Sequence, residues 1–108
     1  MVREEPGTLV RVFLSESDRF EGRPLAREIL DRAAAAGMEM ALVLKSPAGF
    51  GARRVEHSEK SEVSSLDQPV VVEIADTEER VHAFLPRIDG ILAEGLVTVE
   101  AVTILRHS

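Results

Sequence analysis

Residues 69–85, PVVVEIADTEERVHAFL, change within one stretch from a strand pattern to a helix pattern. The β-branched run at 70–75 predicts a strand, and Pro69 is tolerable at its start because that position need not donate to the ladder. Asp76, with Glu79 three residues later, resembles a capping box and predicts the start of a helix. The stretch therefore predicts a strand that leads directly into a helix.

The predicted helix carries apolar side chains at helical spacing, as expected for a face that packs on a core. These side chains are Val81, Phe84, Leu85, Ile88 and Leu92. Pro86 lies within this pattern, and proline removes a backbone donor and clashes with the preceding turn. We therefore expect the helix to kink or split near residues 84–85.

Three more strands and one more helix are indicated around this stretch. The strands are Thr8–Leu14, bounded by Pro6-Gly7, then Met38–Lys45 and Leu96–Leu105. Pro24 suits the first turn of the other helix, and Gly37 marks its end. The order β-α-β-β-α-β predicts an α+β, ferredoxin-like sandwich with an antiparallel sheet and both helices on one face. We expect residues 1–108 to form a single domain.

The composition excludes several classes of site and partner. The chain has no cysteine, so disulfides and thiolate chemistry are absent, and its apolar runs are too short for membrane insertion. The first residues, MVREEPG, show no secretory signal, and we expect a cytoplasmic protein. The net charge is −6, and Tyr and Trp are absent, which argues against nucleic acid as a partner because such binders usually carry a basic excess.

The predicted sheet has apolar residues on both of its faces. In the first strand the alternation sets Val10, Val12 and Leu14 against Leu9 and Phe13. In the second strand it sets Met38, Met40, Leu42 and Leu44 against Ala41 and Val43. Helices can cover only one face, and soluble monomers seldom expose a large apolar patch. We therefore expect a homo-oligomer in which a partner subunit covers the open face, with scattered surface aliphatics as the alternative.

The topology brings three loops to one edge of the sheet. The first and second strands run parallel, with the third strand antiparallel between them, so segments 15–23 and 46–69 meet near the turn at 93–96. Loops that cluster on a rigid scaffold often form functional sites. A connection as long as 46–69 is uncommon in a compact domain and is usually functional or disordered.

The long loop opens with PAGFGARR at residues 47–54. Its two glycines permit close approach of the backbone to a ligand, and its two arginines can clamp an anion such as a phosphate. The predicted ligand-binding residues are Gly49, Phe50, Gly51, Arg53 and Arg54. The same residue types also suit a solvated turn, and that alternative stays open.

Four polar residues on the same edge are candidate contributors to this site. They are Glu16, Ser17, Asp18 and Arg19. A small metabolic enzyme that uses Glu16, Asp18 and Arg19 is one alternative, because paired carboxylates can act as acid and base. No nucleophile elbow, P-loop or dinucleotide fingerprint accompanies them, so we expect no enzyme. The three scattered histidines, His57, His82 and His107, lack metal-ligand spacing, and no metal site is expected.

Five segments together resemble the family called domain of unknown function 190, which is related to the PII signalling proteins. They are ESDRFEGRPL (16–25), GFGA (49–52), PVVVEI (69–74), FLPRID (84–89) and EGLVTVE (94–100). The resemblance covers nearly the whole chain and implies a trimer whose sheets pack around a central axis. It also implies that the long loop corresponds to the PII T-loop, which docks onto targets, with adenine nucleotide bound between subunits at its base.

The chain departs from the PII pattern at several positions. Ala52 and Arg53 stand near the place where PII proteins carry a glutamine, and the Gly- and Lys-containing loop before the last strand is reduced to Glu94-Gly95-Leu96. The Arg-x-Arg pair that ends the last strand of PII proteins is replaced by 103–105, which leaves only Arg106. The usual nitrogen-sensing chemistry is therefore not expected.

These observations predict a PII-like trimeric regulatory protein that requires no cofactor. It would bind a small anionic effector, with an adenine nucleotide as the candidate, and contact a target protein. Family members resemble proteins encoded beside or fused to fluoride exporters, which suggests a membrane transporter as the target. A ligand-free scaffold is the remaining alternative.

Overall fold

The computed structural model describes residues 1–46 and 68–108. Its elements are β1 (Val2–Ser15), β2 (Arg19–Phe20), β3 (Arg23–Pro24), α1 (Leu25–Ala35), β4 (Met40–Lys45), β5 (Pro69–Thr77), α2 (Glu78–Phe84), α3 (Pro86–Asp89) and β6 (Leu96–His107). Four strands form one sheet in the order β4-β5-β1-β6, in which every neighbouring pair is antiparallel. This is the ferredoxin-like α+β sandwich predicted from the sequence.

The core lies between the helices and one face of this sheet. From Thr8 to Leu14 in β1, and along the whole of β5, every second residue is buried, as expected for strands with one face against a core. The buried apolar side chains are Val10, Val12, Leu14, Leu25, Ile29, Ala33, Val70, Val72, Ile74, Val81, Phe84 and Ile88. Burial of each of the larger ones contributes about 1.5–3 kcal/mol relative to exposure, which is what holds the helices on the sheet.

The first and last strands in the chain are longer than the sequence predicted. β1 begins at Val2 instead of Thr8, and β6 continues to His107. Pairing of β1 with β5 ends at Gly7, so only β6 flanks β1 at Pro6. The prediction that Pro6-Gly7 bounds the strand was wrong, because a strand tolerates proline where one of its sides is unpaired.

The second helix begins one residue later than predicted, because the β1–β5 ladder continues to Thr77. Thr77 is the N-cap, and its hydroxyl accepts a hydrogen bond from the Arg80 backbone N–H at 3.3 Å. The predicted capping box of Asp76 and Glu79 was therefore wrong, and Asp76 is buried in the structure. The predicted split at Pro86 is confirmed, since α3 begins there.

Gly7 lies where cross-strand packing leaves no room for a side chain. A Cβ atom at this position would overlap Cδ1 of Ile104 and lie 3.1 Å from the carbonyl oxygen of Asp76. We expect Gly7→Ala to lower the free energy of unfolding by about 1–3 kcal/mol, the usual cost of overpacking, as measured by urea unfolding. Gly90→Ala is the control, because nothing lies within 4 Å of its added Cβ. Equal losses in the two variants would contradict the packing argument.

The sheet face turned away from the helices carries apolar side chains next to the loops. Further from the loops, the same face carries charged side chains that form ion pairs between strands. The row nearest the loops aligns Leu96, Phe13, Val71 and Leu44 across all four strands. Behind this apolar row, Arg11 donates to Glu73 and to Glu100, each at 3.0 Å. The prediction of an aliphatic second face therefore holds for the apolar row and fails at the charges. Met38, which the sequence pattern grouped with Leu44, precedes β4 and packs against the core.

Candidate ligand site at the loop edge of the sheet

Two described segments flank the loop and are tied together at its base. The Ser46 N–H donates to the Pro69 carbonyl at 3.0 Å, so β4 and β5 stay paired up to the loop. The Glu16 N–H donates to the Gln68 carbonyl at 2.9 Å. The turn after β1 and the base of the loop therefore share one edge, as the sequence predicted. We call this the loop edge.

The turn before β6 lies against the same end of β1. Gly95 has a φ of 153°, and a Cβ atom there would lie 3.4 Å from the Phe13 carbonyl oxygen. This backbone conformation favours glycine, and the contact places the turn beside the end of β1. The predicted convergence of the 93–96 turn with the loop edge is confirmed.

An ion pair connects the turn after β1 to the end of β4. Lys45 Nζ lies 2.9 Å from Glu16 Oε2, and the two side chains are 60% and 31% exposed. An exposed pair of this kind contributes about 0–1 kcal/mol to stability, so its interest is its position. Sequence reasoning treated Lys45 only as the end of a strand. Lys45 is the last strand residue before the long loop, and that position is the sequence feature from which its place at the loop edge could have been predicted.

The four candidate polar residues form the tight turn after β1. Asp18 Oδ2 accepts from the Ser15 N–H at 2.9 Å, and the Asp18 N–H donates to the Ser15 carbonyl at 3.0 Å. Arg19 Nη1 donates to the carbonyls of Glu16 and Asp18 at 2.9 and 3.1 Å. The structure thus brings Glu16, Ser17, Asp18 and Arg19 to the loop edge. The contacts of Asp18 and Arg19 hold the turn, and the Glu16 carboxylate pairs with Lys45.

The small β2–β3 hairpin attaches the loop edge to the helix layer. Its two turn residues, Glu21 and Gly22, both have positive φ, at 51° and 82°. Phe20 packs against the core, and the Arg32 guanidinium carbon lies 5.3 Å from the centre of its ring. Such a cation–π contact stabilises by about 0.5–1 kcal/mol at an exposed site. The hairpin next to the loop edge is therefore packed against α1.

The five predicted ligand-binding residues lie outside the described residues. They are Gly49, Phe50, Gly51, Arg53 and Arg54, and His57 lies in the same range. Within 1–46 and 68–108, no group of three or more His, Asp or Glu side chains could hold a metal ion. None of the helices in those two ranges is long and apolar enough to cross a membrane.

Arg106, the basic residue left near the end of β6, lies at the end of the sheet opposite the loop edge. It donates to Glu5 and to Glu39, the latter at 3.1 Å. The hydrogen bonds from Arg106 to Glu39 and Glu5 raise the pKa of its guanidinium above the ordinary value. Arg106 therefore joins the β1–β6 ribbon to the start of β4.

The fold matches solved PII-like proteins over nearly the whole chain. The apo form of CPII from Thiomonas intermedia K12, a nitrogen regulatory PII-like protein, superposes with a TM-score of 0.67 at 15% identity, covering 99% of this chain and 100% of that chain. CPII bound to ADP, AMP and bicarbonate gives a TM-score of 0.66 at 15% identity, covering 94% and 91%. The chain thus has the ferredoxin-like fold of the PII-like proteins.

Sequence comparison identifies the family. The DUF190 family model, described as "Uncharacterized ACR, COG1993", matches residues 7–104. A UPF0166 protein of Aquifex aeolicus (strain VF5) is 39% identical over 97 residues, which cover 90% of this chain and 91% of the relative. The chain belongs to the DUF190 family, in agreement with the resemblance found in its sequence.

Proposed function

We propose that this protein is a PII-like regulatory protein that binds a small anionic effector at the base of the 46–69 loop and contacts a target protein. The observation that carries the proposal is the fold match to CPII, which was solved with ADP, AMP and bicarbonate. Adenine nucleotide is therefore the candidate effector. No cofactor is required for this role.

The loop edge offers suitable chemistry for an anion. Lys45 lies at the base of the loop, and its side chain is 60% exposed and paired with Glu16. In the proposal, backbone N–H groups at 49–51 cradle phosphate oxygens, and the guanidinium groups of Arg53 and Arg54 clamp them. The turn formed by residues 15–19 would border the bound anion and fix its approach.

We also infer a homotrimer, because the apolar row on the open sheet face requires cover and the family resemblance implies three subunits. The effector would act by binding one loop conformation better than another, since a ligand shifts an equilibrium only through differential affinity. A membrane transporter is the target class suggested by the family resemblance.

Nucleotide binding is directly testable on the purified protein. We expect calorimetry with ATP, ADP and AMP to show saturable binding of at least one of them. Arg53→Ala/Arg54→Ala should weaken that binding by at least about 100-fold, because two charge-assisted hydrogen bonds at about 1.5–3 kcal/mol each are lost. The chain has no Tyr or Trp, so a co-purified nucleotide would dominate the ultraviolet absorbance.

Arg3→Ala/Arg27→Ala is the matched control, because it removes the same charge from exposed positions away from the loop edge. This control variant should bind like the wild type. The proposal fails if no adenine nucleotide binds the wild type, and a ligand-free scaffold then becomes the better description. It also fails if both double variants bind equally well.

A further inference from the structure

Two open depressions lie side by side on the helix layer, between α1 and the α2–α3 pair. The first has a volume of about 360 Å³ and is lined by Arg32, Ala35 and Arg87. The second has a volume of about 140 Å³ and is lined by Ala36, Met38, Arg80, Ala83, Phe84 and Arg87. Because Arg87 lines both, they form one groove, which we call the arginine groove. Its lining combines three guanidinium groups with small or apolar side chains.

Two of the guanidinium groups are held in place by bonds that leave some of their donors unused. Arg32 donates from Nε to Glu28 at 2.8 Å and from Nη1 to the Arg87 carbonyl at 2.9 Å. Arg80 donates from Nε to Asp76 at 2.9 Å and from Nη2 to a backbone carbonyl just after α1 at 2.5 Å. A guanidinium has five N–H donors, so both groups are oriented and still able to bind an acceptor.

Arg87 supplies the unbalanced charge of the groove. The charge of Arg32 is offset by Glu28, and that of Arg80 by Asp76. The exposed Arg87 side chain makes no hydrogen bond or ion pair with any part of the chain that the structure describes. The groove is therefore a positive site on a protein whose net charge is −6.

We propose that the arginine groove docks an acidic peptide segment of a partner protein. Sites for small molecules enclose most of the ligand surface, whereas this groove is open, so an elongated segment fits it better. Carboxylates of the segment would bind the three guanidinium groups, and its apolar side chains would contact Met38 and Ala83.

This docking surface is separate from the proposed anion site. The groove lies on the helix layer, whereas the apolar row lies on the opposite face of the sheet, so assembly through that row leaves the groove accessible. The docking proposal does not depend on nucleotide binding at the loop edge.

Fluorescence anisotropy with a short labelled peptide of repeating Glu-Leu-Glu units tests the docking proposal. We expect saturable binding to the wild-type protein at low ionic strength and weakening by added salt. Arg87→Glu should weaken binding at least about tenfold, because it removes the unpaired cation and adds a repulsive charge. Arg27→Glu is the matched control, since it makes the same charge change on the exposed surface of α1 outside the groove, and it should bind normally.

Three outcomes would overturn the docking proposal. If Arg87→Glu and Arg27→Glu weaken peptide binding equally, the binding depends on the net charge of the protein and not on the groove. Absence of saturable peptide binding to the wild type would also overturn the proposal. So would saturable binding of inorganic pyrophosphate to Arg53→Ala/Arg54→Ala that is lost when Arg87→Glu is added, because the groove would then be a small-anion site. Arg53→Ala/Arg54→Ala should retain peptide binding, so failure at the groove is distinguishable from failure at the loop edge.

Discussion

Asp76→Ala is expected to lower the free energy of unfolding by about 3 kcal/mol. Asp76 is 1% exposed, and its carboxylate accepts hydrogen bonds from the backbone N–H groups of Glu39 and Thr77 and from Arg80 Nε, at 2.9, 2.7 and 2.9 Å. Alanine would leave two part-buried backbone donors and the Arg80 guanidinium without this acceptor where β4, β5 and α2 meet, and an unsatisfied donor costs about 1–3 kcal/mol where it is buried. The melting temperature should therefore fall by roughly 10–20 °C.

Urea unfolding followed by far-ultraviolet circular dichroism measures this loss. Asp89→Ala is the control, because Asp89 is an exposed aspartate on α3, and its loss should change stability by no more than about 0.5 kcal/mol. If Asp76→Ala lowers the free energy of unfolding no more than Asp89→Ala does, the buried carboxylate does not stabilise the place where β4, β5 and α2 meet.

The loss in Asp76→Ala should also depend on pH with a definite sign. Burial raises the pKa of the Asp76 carboxyl, but the hydrogen bonds from Arg80, Thr77 and Glu39 and the charge of Arg80 outweigh it, so the pKa lies below its ordinary value of 3.8. A carboxyl with a depressed pKa stabilises the fold above its unfolded-state pKa and loses that contribution as pH falls through the folded-state pKa. The difference in the free energy of unfolding between wild type and Asp76→Ala should be largest at neutral pH and should shrink below about pH 4.

Most of the fold could be predicted because one face of β1, β5, α1 and α2 is buried against a core. That burial produces the period-two pattern of β5 and the helical period of α2, and Pro86 marks the break between α2 and α3. The start of β1 could not be predicted, because Val2–Pro6 is mostly polar and contains a proline. Its strand conformation depends on pairing with β6, a contact that is distant in sequence.

The loop edge could be predicted from topology, whereas its contacts could not. The direction of the strands alone decides which loops meet. The Lys45–Glu16 pair and the bridge from Arg11 to Glu73 and Glu100 join residues that are distant in sequence. They depend on strand twist and on side-chain conformations that no local pattern specifies. The arginine groove likewise depends on how α1 packs beside α2 and α3.

Val71→Glu is expected to convert the proposed homotrimer into monomers. Val71 lies in the apolar row between Phe13 on β1 and Leu44 on β4. Where another subunit covers this row, glutamate would bury an unpaired carboxylate, which costs about 3–5 kcal/mol and raises the dissociation constant by at least about 100-fold. In the isolated chain Val71 is only partly buried, so the carboxylate stays hydrated and the fold is retained.

Sedimentation equilibrium separates these states, because wild type should behave as about three times the 11.8 kDa chain and Val71→Glu as one chain. Ala34→Glu is the control, since it adds the same charge at an exposed position of α1 and should leave the trimer intact. A monomeric wild type would contradict assembly itself. A trimeric Val71→Glu would instead show that the subunits meet elsewhere, and the apolar row would then need a different partner to cover it.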